Sequence, residues 1–122
     1  MVMRGRAEIT TTLRRMMSNF RSVLMSFQCP IVEVEQDVAA GRTYATERCV
    51  LANGQGLLAI STYFERFVSQ GNRWRFSWRL FQLHYIGPPD LSGSFVENPD
   101  YGPPTGMPAR DCPTINYSGF GS

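Results

Sequence analysis

Lysine is absent from this sequence. All twelve basic residues among its 122 are arginine, which excludes lysine Schiff-base chemistry and a phosphate-loop lysine. Histidine is nearly absent, with His84 standing alone. The three cysteines, Cys29, Cys49 and Cys112, are odd in number and far apart. They form neither a disulfide ladder nor a C-x-x-C metal pair. One histidine and scattered thiols build no catalytic triad and no usual histidine-containing metal site, so no metal and no cofactor is expected. Long hydrophobic runs are missing too, since no stretch reaches the roughly 18 apolar residues of a spanning helix. Met1 to Arg6 holds two arginines with no apolar run behind them, unlike a signal peptide. Reduced thiols in the cytoplasm are the matching expectation. The net charge of +2 is too small to demand a nucleic-acid or membrane partner.

Proline is scarce only in the first part of the chain. Up to Ile86 there is one proline, Pro30, and eleven arginines stand against six acids. From Gly87 to Ser122 there are seven prolines and six glycines, with one arginine against four acids. The expected organisation is therefore a folded body over 1–86, net +5, and a Pro/Gly-rich tail over 87–122, net −3. The tail is too broken for a helix or a central strand. Its aromatics, Phe95, Tyr101, Tyr117 and Phe120, suit packing on the body or on a partner subunit.

The periodicity predicts one helix from Ala7 to about Asn19, with Ile9, Leu13, Met16 and Phe20 on one side. Strands are predicted over Ser22–Glu35, Val38–Leu51, Gly56–Val68 and Arg73–Ile86. Gln36-Asp37, Asn53-Gly54 and Gln70-Gly71-Asn72 supply the turns. Pro30 implies an edge or a bulge in the first strand. In the last strand Trp74, Phe76, Trp78 and Leu80 alternate with polar residues, and the phase then slips to Phe81, Leu83 and Tyr85. A one-residue slip is the mark of a β-bulge, and bulges curve a sheet. The predicted fold is α+β: a helix followed by a curved antiparallel meander of about four long strands, leaving a cone able to hold a small ligand.

Few residues carry chemistry. His84, beside Tyr85, is a candidate base or a structural histidine. Glu33, Glu35 and Asp37 cluster at a hairpin and read as a solvated edge. Glu47 lies mid-strand, where burial would raise its pKa, and Arg48 points to the other face. It is either a candidate acid/base or one half of a cross-strand pair. The run Arg73-Trp74-Arg75-Phe76-Ser77-Trp78-Arg79 interleaves arginine with aromatics, as a single-strand nucleic-acid platform does. A strand with one core face and one arginine face gives the same pattern.

Three stretches carry a resemblance. They are Gly5-Arg6-Ala7-Glu8-Ile9; Pro30-Ile31-Val32-Glu33-Val34 with Asp37-Val38-Ala39-Ala40-Gly41-Arg42; and Tyr63-Phe64-Glu65-Arg66-Phe67-Val68 with Arg73-Trp74-Arg75-Phe76 and Arg79. In order and spacing they resemble the SnoaL-like branch of the nuclear-transport-factor-2-like superfamily, over about residues 5 to 91. The resemblance implies a cone-shaped fold, a pocket, and dimerisation through the sheet. It also implies lyase or isomerase relatives such as polyketide cyclases, scytalone dehydratase and ketosteroid isomerase. The resemblance implies helices before this point that carry an acid/base Tyr and Asp, and a domain starting near Gly5 is expected to lack them. Its strand histidines fall near Met25-Ser26 and near Cys49, and its polar Asn near Ile60. The expected pocket is therefore lined by Ser26, Cys49, Ile60, Thr62 and Trp78, with Glu47, His84 and Tyr63 as catalytic candidates. The expected function is a small-molecule pocket protein that has lost most of the family's catalytic residues. A lyase or isomerase acting on a small hydrophobic ring compound, and a dimeric interaction module, are the alternatives.

Overall fold

A computed structural model describes residues 1–97. Helix α1 spans Gly5–Met17 and is followed by strands β1 (Phe20–Glu35), β2 (Val38–Leu51), β3 (Gly56–Gln70), β4 (Arg73–Gly87) and β5 (Ser94–Phe95). The strands form one antiparallel sheet in the order β1-β2-β3-β4-β5. The helix and the four-strand meander stand where the periodicity places them, and the turns fall at the expected dipeptides. β5 is an addition. The Pro/Gly-rich segment contributes two residues to the free edge of β4, a place where proline does not interrupt a ladder. Cys112, Tyr101, Tyr117, Phe120 and most of the expected tail lie outside the described residues.

Local chemistry accounts for the ends of α1. The Arg4 amide donates to the Glu8 carboxylate at 2.9 Å, which satisfies one of the free donors at the helix start. Glu8 in the first turn and Arg14 and Arg15 in the last match the helix dipole. The Ser18 hydroxyl donates to the Arg15 carbonyl at 2.7 Å. No residue of α1 is fully buried. The joint after the helix is tied to the β2–β3 turn instead: the Ala52 amide donates to the Asn19 carbonyl at 3.2 Å, and Arg21 Nη2 to the Ala52 carbonyl at 3.1 Å.

The pairing register assigns each side chain to a face. Met25, Phe27, Val32, Val34, Thr43, Ala45, Glu47, Cys49, Ser61, Tyr63, Glu65, Phe67, Phe76, Arg79 and Phe81 share one face, called here the aromatic face. Ser26, Gln28, Arg42, Tyr44, Ile60, Thr62, Phe64, Arg66, Trp78, Leu80 and Gln82 share the opposite face.

Bulges set this division. In β1 the register shifts between Gln28 and Ile31, where Cys29 takes a positive φ of 49° ahead of Pro30. β1 is also the outer strand, so Pro30 meets both of its expected conditions. In β4 the pairs Arg66↔Trp78 and Phe67↔Phe76 leave Ser77 as the extra residue, and Ile60↔Tyr85 with Ser61↔Leu83 leaves His84. The bulges therefore lie at Ser77 and His84, and the pairing is continuous through Leu80 and Phe81, where the slip was expected. Trp74 and Phe76 are separated from Trp78 and Leu80 by the Ser77 bulge and face the other way. Both faces of β4 carry bulky residues, so alternation alone admits more than one phase.

The far end of β4 is fixed by Tyr85, which is fully buried. Its hydroxyl donates to the Pro88 carbonyl at 2.6 Å and accepts the Gly93 amide at 2.9 Å. Its ring lies 4.8 Å from that of Phe95. Gly87 and Gly93 cross so closely that a Cβ on Gly87 would sit 2.8 Å from the Gly93 Cα. Phe64, only 1% exposed, is another large buried side chain, and its burial contributes roughly 1.5–3 kcal/mol.

Candidate functional site

The aromatic face gathers rings from three strands. Phe27 of β1 lies 6.2 Å from Tyr63 of β3, and Tyr63 lies 5.3 Å from Phe81 of β4. Phe67 and Phe76 are 4.9 Å apart. Short residues on β2 (Ala39, Gly41, Thr43, Ala45) make the floor and are buried beneath their larger neighbours. Open cavities lie along this face among the described residues. One, of about 260 Å³, is lined by Val32, Val34, Ala39, Phe67 and Trp74. Another, of about 290 Å³, is lined by Phe27, Pro30, Thr43, Glu65, Phe76 and Arg79.

Polar groups cross this apolar surface in a band. Glu47 sits opposite Met25 and Ala59. Burial raises its carboxyl above the ordinary value, because the charged form loses water. No ion-pair partner holds it among the described residues, so the cross-strand pair is not formed. The same desolvation, and then the Glu47 charge, raise the Cys49 thiol. Tyr63 is raised by burial first and by Glu47 next, with Arg79 acting in the opposite direction. Ser61 pairs with Ala45, one step along from Glu47. It is fully buried, and among the described residues its hydroxyl has no hydrogen-bond partner. Further along β3, Glu65 is 6% exposed and accepts from Arg79 Nε at 3.0 Å and Nη2 at 2.7 Å, both on Oε1. The Arg79 guanidinium lies 4.2 Å from the centre of the Tyr63 ring and 4.3 Å from that of Phe76.

The expected site residues divide between the faces. Glu47, Cys49 and Tyr63 come together on the aromatic face. Ser26, Ile60, Thr62 and Trp78 face the other way. His84 joins this second group, its Nε2 lying 2.6 Å from Thr62 Oγ1. Met25 and Ser61, the immediate neighbours of Ser26 and Ile60, are the side chains that share a face with Glu47. Pairing parity alone separates each from its neighbour. Ser61, Glu65 and Arg79 were missed as site residues. Only the Tyr63–Val68 and Arg73–Arg79 wording hinted that the last two stand across from one another. The Arg73–Arg79 run does not form one arginine face against one aromatic face. Arg79 stacks on Phe76, while Trp78 lies under Arg66 at 5.3 Å on the other side.

Among the described residues, no group of three or more His, Cys, Asp or Glu side chains is placed to hold a metal ion. No helix there is long and apolar enough to cross a membrane.

Residues 1–79 match the SnoaL-like domain. The chain belongs to this family. Solved structures share the fold at low identity. A protein from Kribbella flavida, Kfla4162, matches at 18% identity and a TM-score of 0.62, over 70% of this chain and 62% of its own. A scytalone dehydratase-like protein from Novosphingobium aromaticivorans DSM 12444 matches at 16% and 0.64, over 75% of this chain and 62% of its own. A hexachlorocyclohexane dehydrochlorinase, LinA type 2, matches at 17% and 0.65, over 80% of this chain and 66% of its own. The SnoaL-like chain thus spans less than two thirds of the length of each. Comparison with curated proteins finds no match.

Proposed function

We propose that this SnoaL-like domain binds a small, ring-bearing apolar molecule against its aromatic face. The observation that carries the reading is the row of rings Phe27, Tyr63 and Phe81 across three strands, on the same face as the half-buried Glu47. Ligand sites have this character: mostly apolar walls with a few converging polar groups. Titration with a fused-ring probe such as 2-naphthol tests the reading by calorimetry. Phe81→Ala should weaken binding about 5- to 10-fold, the loss of one aromatic contact, and Trp78→Ala on the opposite face should leave it unchanged. Equal affinity in all three proteins would remove the aromatic face as the site.

A lyase or isomerase reading has support of its own, because Glu47 and Tyr63 lie on one face and solved relatives include a dehydrochlorinase and a scytalone dehydratase-like protein. In it the Glu47 carboxylate takes a proton from the carbon beside a carbonyl, and the Tyr63 hydroxyl donates to the enolate oxygen. His84 faces away and takes no part. Deuterium exchange at the α-carbon of 2-tetralone, followed by NMR, is the assay. Glu47→Gln should slow it at least tenfold (about 1.4 kcal/mol), and an unchanged rate would leave the pocket without catalysis. Dimerisation through the sheet is proposed on the opposite face, where Leu24, Ile31, Trp78 and Leu80 are exposed. A monomer by light scattering would count against it.

A further inference from the structure

The Glu65–Arg79 pair points to one chemical class of ligand. A carboxylate as deeply buried as Glu65 is tolerated only when paired. Its partner is held on three sides: Tyr63 and Phe76 cover the guanidinium at 4.2 and 4.3 Å, and Nε and Nη2 both donate to the single oxygen Oε1. A fork-on-fork pair would engage both carboxylate oxygens. Here Glu65 Oε2 and Arg79 Nη1 make no hydrogen bond among the described residues. Both side chains line the cavity of about 290 Å³, whose remaining walls are Phe27, Pro30, Thr43 and Phe76. Among the described residues the pair thus leaves one carboxylate oxygen and the outer, Nη1 end of the guanidinium without a hydrogen bond, and it is neutral as a whole. A carboxylate brought there would meet the Oε2 lone pairs, and an ammonium would meet the guanidinium. An uncharged group that both donates and accepts meets neither repulsion.

We infer that the polar end of this cavity is a subsite for an uncharged donor–acceptor group on an aromatic ring, an aryl carboxamide being the simplest case. Its N–H donates to Glu65 Oε2, its C=O accepts at the end of the Arg79 guanidinium formed by Nη2 and Nη1, and its ring lies against Phe27 and Phe76. The inference rests on the aromatic face being the ligand site, and it adds selection by charge. It also gives Glu65 two roles, neutralising Arg79 and reading the ligand.

The test is a binding series at neutral pH with naphthalene, 2-naphthamide, 2-naphthoate and 2-naphthylmethylammonium, read by fluorescence and by NMR. The full chain should bind the amide at least tenfold more tightly than either ion and than naphthalene. Glu65→Gln leaves an uncompensated arginine, so naphthoate should overtake the amide. Arg79→Met leaves an uncompensated carboxylate, so the ammonium compound should gain. Each variant backs up the other should one not fold, and the ranking on the unaltered chain is decisive by itself. If naphthoate binds as tightly as the amide, or all four compounds bind alike, the subsite is overturned and the pocket stands. If no ring compound binds, both fall.

Discussion

Replacing Tyr85 by Phe is a stringent test of how the sheet is closed at its far end. The ring is fully buried and its hydroxyl makes two hydrogen bonds, to the Pro88 carbonyl at 2.6 Å and from the Gly93 amide at 2.9 Å. Tyr85→Phe keeps the ring against Phe95 and removes both bonds. Each is worth about 1 kcal/mol net, and the stranded partners add desolvation if water does not reach them. The expected loss is therefore about 2 kcal/mol. At about 4 °C per kcal/mol, suited to a domain of this size, Tm should fall by about 8 °C. Urea unfolding monitored by tryptophan fluorescence gives the free energy directly, and a constant m-value would show that the unfolded state is unaltered. A companion variant, Phe95→Ala, separates the ring contact from the hydroxyl. The two rings lie 4.8 Å apart, a spacing at which aromatic pairs couple by about 0.5–1.5 kcal/mol. In a cycle of Tyr85→Ala and Phe95→Ala, the double variant should cost less than the sum of the two single variants by that coupling. A Tyr85→Phe change below about 0.5 kcal/mol, within the range of unremarkable surface substitutions, would mean that the segment after β4 does not depend on this hydroxyl.

Other outcomes follow from single residues. Burial raises the Glu47 carboxyl, so the folded chain keeps that proton to higher pH than the unfolded one. Its contribution to stability is full below the unfolded carboxyl value of roughly 4.3 and is lost as pH rises through the raised folded value. Glu47→Gln should remove this downward slope, leaving the variant the more stable of the two at neutral pH in urea titrations across that window. Ser61→Ala should leave the protein as stable or more so in urea unfolding, since an unpartnered buried hydroxyl is removed. Gly87→Ala places a Cβ 2.8 Å from the Gly93 Cα and 2.9 Å from the Tyr85 hydroxyl. Overpacking of that kind costs about 1–3 kcal/mol, measurable as a lower denaturant midpoint.

The candidate site is legible in the sequence only in part. Glu47 was legible because an acid in the middle of Tyr44-Ala45-Thr46-Glu47-Arg48-Cys49 stands out against its strand, and Tyr63 because it opens a recognisable motif. Ser61 carries no such signal: a serine in a strand is ordinary until its hydroxyl is found buried and alone. Ser26 and Ile60 were selected one residue away from Met25 and Ser61. With a side-chain period of two, that offset moves a residue to the other face. Trp78 and His84 were displaced for the same reason, the bulge at Ser77 and the extra residue at His84 itself.

By itself the sequence determined the local architecture: a helix with Arg14 and Arg15 in its last turn, four strands separated by turn dipeptides, an edge or bulge at Pro30, and membership of a family through three short motifs. These depend on neighbours within a few residues, which composition and spacing record. Only the tertiary structure decided which side chains meet. The phase of β4 depends on where its extra residues sit, and that is settled by pairing with a strand several residues away across the Gly71 turn. The pairing placed Arg79 between Tyr63 and Phe76 with Glu65 beneath it, joined Glu47 to Tyr63 on one face, and turned His84 to the other. A sequence poor in charge and nearly free of histidine thus keeps its chemistry in a few groups whose meaning lies in the register of the sheet.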